Sequence, residues 1–114
     1  MSDTELTLVV PCFNEASRFP FEAFESWLGD HARARMIFVD DGSTDGTADV
    51  LDELRRVCED RCTVVSLDSN RGKAEAVRTG LLAAAADGRE FIGYWDADLA
   101  TPLDSVPELL QVLR

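Results

Sequence analysis

Four short apolar runs punctuate this chain, and each closes on a polar loop that leads into a helical repeat. Leu6 to Val10, Met36 to Val39, Thr63 to Leu67 and Phe91 to Trp95 are rich in β-branched or aromatic residues and too short for buried helices, so they read as strands. Phe21, Phe24, Trp27 and Leu28 then recur at helical spacing, with Gly29 as the stop. Val50, Leu51, Leu54 and Val57 repeat the pattern behind a cap at Thr44 or Asp45, with Arg55 and Arg56 near the negative end of the helix. A third helix is expected from Lys73 to Ala86, turning Ala74, Val77, Leu81 and Leu82 to the sheet. A last one runs through Leu103, Val106, Leu109, Leu110 and Leu113 after Pro102. Such alternation predicts an α/β fold, a mostly parallel sheet of about four strands flanked by helices and joined by right-handed crossovers. With strand order 3-2-1-4 the Phe91 strand is an edge, and an exposed edge invites self-association.

In a parallel sheet the loops that follow the strands share one rim, and open α/β sheets bind ligands there. The polar chemistry of the chain lies in those loops. Pro11-Cys-Phe-Asn-Glu15 follows the first strand, and Asp40-Asp-Gly-Ser-Thr-Asp-Gly-Thr47 the second. Asp68-Ser-Asn-Arg-Gly-Lys73 follows the third and Asp96-Ala-Asp98 the fourth. Carboxylates one residue apart at a strand end are hard-cation donors, suited to Mg²⁺ or Mn²⁺ that also bridge to substrate phosphates. A helix cap explains one or two polar residues of the second loop but leaves the pair Asp40 and Asp41 unaccounted for. Arg71, Lys73 and Arg78 gather at a helix start, where cations and N-terminal amides together favour an anion.

A formal net charge of −11 over 114 residues excludes the basic patches that a nucleic-acid partner requires. An acidic protein that binds phosphates needs a cation between them, in agreement with the metal reading of Asp96 and Asp98. A hydrophobic share of 46% is that of a globular domain. Cys12, Cys58 and Cys62 have neither disulfide nor zinc spacing and are expected to be reduced, which points to the cytoplasm. No apolar stretch reaches the roughly 20 residues of a membrane span, and the acidic N-terminus is unlike a signal peptide. The single histidine, His31, sits at a predicted helix end, where surface exposure or capping is expected.

Four stretches together resemble family 2 glycosyltransferases, the inverting enzymes of GT-A fold. They are Val9-Val-Pro-Cys-Phe-Asn-Glu15, Val39-Asp-Asp-Gly-Ser-Thr-Asp-Gly-Thr47, Asn70-Arg-Gly-Lys-Ala-Glu-Ala-Val-Arg-Thr-Gly80 and Asp96-Ala-Asp98. Asn-Arg-Gly-Lys73 and Asp96-Ala-Asp-Leu-Ala-Thr-Pro102 are similar to the polyprenyl (dolichyl) phosphate glucosyl- and mannosyltransferases. The resemblance implies a Rossmann-like GT-A half, with residues 1–114 as the N-terminal, nucleotide-sugar-binding part of a longer catalytic domain. The acceptor side and any catalytic base would lie in the remainder.

By the same resemblance, Pro11, Asn14 and Glu15 line the nucleotide pocket, Asp41 reads the base with Asp40 beside it, and Arg71 and Lys73 reach the nucleotide sugar. Asp98 would be the direct metal ligand, with Asp96 near the ribose or bound through water. The implied reaction carries a sugar from a UDP-glucose or GDP-mannose type donor to a polyprenyl phosphate with inversion. It would take place in the cytoplasm or at the inner face of a membrane. The alternative is a module that holds nucleotide sugar and metal without independent catalysis. Two other folds use acidic strand ends. Haloacid-dehalogenase-type phosphatases carry Asp-x-Asp-x-(Thr/Val), but position 100 is Ala and the motif follows the fourth strand rather than the first. Phospho-acceptor receiver domains place an acidic pair near the first strand, whereas here it follows the second.

Overall fold

The computed structural model describes residues 5–86, 88 and 91–97. Strands β1 (Leu6–Cys12), β2 (Ala34–Asp40), β3 (Cys62–Ser66) and β4 (Phe91–Tyr94) alternate with helices α1 (Phe21–Asp30), α2 (Thr47–Cys58) and α3 (Lys73–Ala85). All the strand pairs are parallel and the order is β3-β2-β1-β4. This is the α/β layer expected from the alternation, with β4 at one edge. The predicted helix beyond Pro102 lies outside the described residues. Among the described residues no helix is long and apolar enough to cross a membrane.

β1 runs two residues past the predicted stop, straight through Pro11, which pairs with Val39. The reason lies in which neighbour each residue faces. The Val9 carbonyl accepts from the Trp95 N–H at 2.9 Å, so odd-numbered positions of β1 face β4. Pairing with β4 ends at Val9, so the N–H that Pro11 lacks falls on the β4 side where that ladder stops, and the ladder to β2 is untouched. Even-numbered positions face β2, and the Cys12 carbonyl accepts from the Asp41 N–H at 2.8 Å.

The two faces of the sheet are packed differently. On one, Leu6, Leu8, Val10, Met36 and Phe38 meet Phe24, Trp27 and Leu28 of α1 and Leu51 and Leu54 of α2. Phe24 and Phe38 cross edge to face with ring centres 5.4 Å apart, and Phe19 stacks on Phe24 at 5.1 Å. Val57, predicted to point inward, is instead 49% exposed. Arg61 fastens this layer from its edge, donating to the carbonyls of Leu28 and His31 at 2.6 Å and of Ala34 at 2.8 Å. His31 caps α1 as expected. Its Nδ1 donates to the Trp27 carbonyl at 2.8 Å, and its ring stacks on the indole at 4.2 Å.

On the other face α3 lies close to the sheet over Val9, Ile37 and Val39. The helix buries Ala76, Gly80 and Ala84; of the predicted stripe Leu81 packs half-buried against this cluster and Val77 is half-buried, while Ala74 is exposed and Leu82 is 61% exposed. Small residues at four-residue spacing win because the valines of the sheet already fill the interlayer space. A methyl group on Gly80 would stand 2.2 Å from Val9 Cγ1 and 3.1 Å from Val39 Cγ2. Gly80→Ala therefore gains up to about 1 kcal/mol of helix propensity but overpacks a β-branched pair that cannot yield. We expect a net loss of about 1–3 kcal/mol, read as a lower urea midpoint. An unchanged or higher midpoint would show that α3 can ride outward without cost.

Candidate functional site

The C-terminal ends of β1, β2 and β4 and the loop after β3 enclose a cleft of about 410 Å³. Its lining contains Pro11, Glu15, Asp41, Lys73 and Asp96 among the sequence-predicted residues. It also contains Cys12, Phe13, Arg18, Asn70, Gly72 and Ala97, to which the sequence reading had given no role. Asn14, Asp40 and Arg71 are absent from the lining, and each has a visible task nearby. Asn14 adopts a left-handed φ of 51°, accepts from the Thr44 N–H at 2.9 Å through Oδ1, and donates its own N–H to Ser43 Oγ at 2.9 Å. Asp40 accepts from the Ser43 N–H at 3.1 Å. These bonds fold the loop after β2 against the loop after β1.

Asp41 is buried, and its carboxylate is the junction between loops. Oδ1 accepts from the Arg71 N–H at 2.8 Å, and Oδ2 from the Gly72 N–H at 3.0 Å and Asn70 Nδ2 at 3.3 Å. The two amides just before α3 are thus taken by an internal carboxylate. Arg71 contributes here through its backbone. A carboxylate has about four acceptor positions, so Asp41 can take one further donor from the cleft. Gly42 makes the junction possible: its φ is +70°, and a Cβ there would stand 2.3 Å from the Asn70 nitrogen.

Thr47 and Asp45 hold the third contact between loops. The Glu15 N–H donates to Thr47 Oγ1 at 2.8 Å, and Asp45 accepts from the Thr47 N–H at 2.9 Å and the Ala16 N–H at 3.3 Å. Hydrogen bonding from the Thr47 hydroxyl, above all, holds the Asp45 carboxyl below the usual range. The N-cap of α2 is Gly46 rather than the expected Thr44 or Asp45, and Asp45 serves the helix from one residue earlier by accepting from the Thr47 N–H. Cys12 lines the cleft but is no nucleophile, because burial first, and then the Glu15 and Asp40 carboxylates, push its thiol far up. All three cysteines are free thiols, and burial pushes Cys62 up to about 12.

At the far wall Lys73 Nζ lies 2.5 Å from Asp96 Oδ1, with 60% and 43% of the two side chains exposed. A pair this exposed is worth at most about 1 kcal/mol, so it can exchange for a better partner. Among the described residues no group of three or more His, Cys, Asp or Glu side chains could hold a metal. Asp96 offers an exposed carboxylate at the cleft wall, and Asp98, the expected direct ligand, lies outside the described residues. One or two carboxylates completed by a ligand's phosphates is the donor set that Mg²⁺ and related hard cations accept, so the residues present fit such an ion.

The family model for glycosyl transferase family 2 matches residues 7–114, nearly the whole chain. The chain belongs to glycosyl transferase family 2. It is 35% identical to the dolichyl-phosphate beta-glucosyltransferase of Mus musculus, over 92% of this chain and 34% of that protein. It is 28% identical to a mannosyltransferase from Pyrobaculum calidifontis solved with GDP-Man and Mn²⁺, with a TM-score of 0.70 over 85% of this chain and 29% of the other. Glucosyl-3-phosphoglycerate synthase from Mycobacterium tuberculosis, solved with Mn²⁺, UDP and glucosyl-3-phosphoglycerate, is 26% identical with a TM-score of 0.68, over 98% and 40%. The chain spans about a third of the length of the curated relative it matches. The family 2 fold expected from the motifs is therefore the one observed, a GT-A, Rossmann-like layer.

Phe13 and Asn70 fell inside motifs that were recognised, so their place at the cleft follows from the neighbours quoted with them. Arg18 carried a fainter signal, a cation three residues after Glu15. The Asp41 junction generates a test. Asp41→Ala should free the Arg71 and Gly72 amides, raising their hydrogen exchange about tenfold or more, and should cost about 1–3 kcal/mol of stability. Unchanged protection of both amides by NMR would refute the junction.

Proposed function

We propose that the cleft binds the nucleotide-diphosphate sugar of a hexosyltransferase, and that residues 1–114 are the donor-binding part of the enzyme. The observation that carries this reading is the convergence of Phe13, Glu15, Asp41, Asn70, Lys73 and Asp96 on one cleft at the strand ends. Phe13 is 42% exposed and offers a ring face to a base, with Pro11 beside it. The remaining acceptor position of Asp41 suits the imide N–H of uracil or the N–H groups of guanine. The solved relatives with UDP and with GDP-Man support either base.

Asp96, with Asp98 as its expected companion, would hold Mg²⁺ or Mn²⁺. Such an ion, when bound, neutralises charge on the leaving diphosphate. Lys73 would add its own charge at the same place, where negative charge builds up. Transfer with inversion is an in-line displacement. An acceptor oxygen forms a bond to the anomeric carbon as the bond to the diphosphate breaks and its electron pair departs with the diphosphate. The dolichyl-phosphate relative supports a polyprenyl phosphate acceptor, whose oxygen is already anionic near neutral pH and so needs no strong base. Peripheral binding at a cytoplasmic membrane face would accompany that acceptor.

Thermal unfolding with UDP, GDP, UDP-glucose and GDP-mannose, each with Mn²⁺ or EDTA, tests the donor site. A ligand at about a hundred times its dissociation constant adds about 2.7 kcal/mol, a shift of several degrees in a domain of this size. We expect a metal-dependent shift with one base, weakened in Asp96→Asn. A folded sample that shifts with no nucleotide would refute the reading. Donor binding without transfer to a prenyl phosphate would support the binding-module alternative.

The β4 edge supports a second proposal, self-association. Ile92 is 39% and Tyr94 53% exposed on this edge strand. Light scattering should show mass rising with concentration, and a constant monomer mass at high concentration would count against it.

A further inference from the structure

Among the described residues the cleft lining holds two cationic side chains, Arg18 and Lys73, and they arrive from opposite faces of the sheet. Lys73 opens α3, which packs on the Val9, Ile37 and Val39 face. Arg18 lies in the loop before α1, which packs on the other face. Each cation is paired with a carboxylate on its own side: Lys73 with Asp96, and Arg18, through Nε, with Glu15 Oε1.

Glu15 is a fixed partner rather than a surface one. Its side chain is only 12% exposed, and its backbone N–H is tied to Thr47 Oγ1. The Arg18 side chain, by contrast, is 67% exposed while lining the cleft. A held carboxylate thus aims an exposed guanidinium, whose planar fork of five donors matches phosphate oxygens. The charge inventory of the cleft points the same way. Asp41 already accepts from two backbone amides and the Asn70 side chain, and Glu15 and Asp96 are each paired with one cation. Among the described residues, a phosphate entering this cleft, in a chain of net charge −11, meets these two lining cations.

We propose that Arg18 is a phosphate-binding residue which, with Lys73, brackets the diphosphate of the nucleotide sugar from both sides of the sheet, and that Glu15 positions its guanidinium. This rests on the donor-site reading above and adds to it a residue that the motifs did not assign.

Calorimetric titration of the chain with UDP, UMP and uridine, and with the guanosine series, in Mn²⁺, tests the bracket. Arg18→Ala should weaken diphosphate binding roughly tenfold to a hundredfold and leave the nucleoside within about twofold. Arg18→Lys should recover part of the loss, because it restores the charge without the fork. Glu15→Ala should reproduce the diphosphate loss, whereas Glu15→Gln, which keeps an acceptor for Nε, should retain most of the affinity. Unchanged diphosphate affinity in Arg18→Ala overturns the proposal, as does an equal loss for the nucleoside, which would make Arg18 a base reader. A loss confined to geranyl phosphate also overturns it, and assigns Arg18 to the acceptor phosphate. A wild-type chain that binds no nucleotide overturns the donor-site reading itself, and the bracket with it.

Discussion

Asp41 sits where the sheet ends and the site begins. Its N–H adds one more bond between β1 and β2, and its carboxylate reaches the amides of Arg71 and Gly72 across the gap to α3. Placing a carboxylate there sets a negative charge against the positive end of a helix, in a buried and well-bonded position. The loop after β3 cannot move without breaking those bonds, and that loop carries Asn70 and Lys73 into the cleft. Gly42 matters for the same reason, since any side chain there would push the two loops apart.

This junction also shapes the chemistry left to a ligand. Helix N-termini are ready anion sites, but here the amides before α3 are already occupied. The two cations described in the cleft lining are each paired with a carboxylate. Pairs exposed on both sides, such as Lys73–Asp96, contribute little to stability. Their value lies in keeping charge balanced until a stronger partner arrives.

The unequal layers of the fold serve the same rim. Aromatic and leucine side chains fill a thick layer under α1 and α2, where Arg61 closes the seam. Alanine and glycine give α3 a close seat on the valines of β1 and β2. A helix seated this tightly has a defined start, and its first residue is Lys73. Packing well away from the cleft thus sets the position of a cation inside it.

The sequence by itself determined the layer and the rim. Apolar runs too short for helices, separated by helical repeats, leave few other arrangements, and parallel strands send every following loop to one side. The rim and the resemblance to family 2 glycosyltransferases together pointed to Pro11, Glu15, Asp41, Lys73 and Asp96, and the same motifs pointed to the family to which the chain belongs. What only the tertiary structure decided were choices between residues of equal local standing. Ala76, Gly80 and Ala84 replaced the bulkier α3 stripe because the interlayer space was already filled by valines from distant strands. Asn14, Asp40 and Arg71 became loop fasteners, and Arg18 entered the cleft, because those roles depend on which backbone groups of remote loops come within hydrogen-bond distance. Local sequence carries periodicity and charge, and such distances arise only when the layers close.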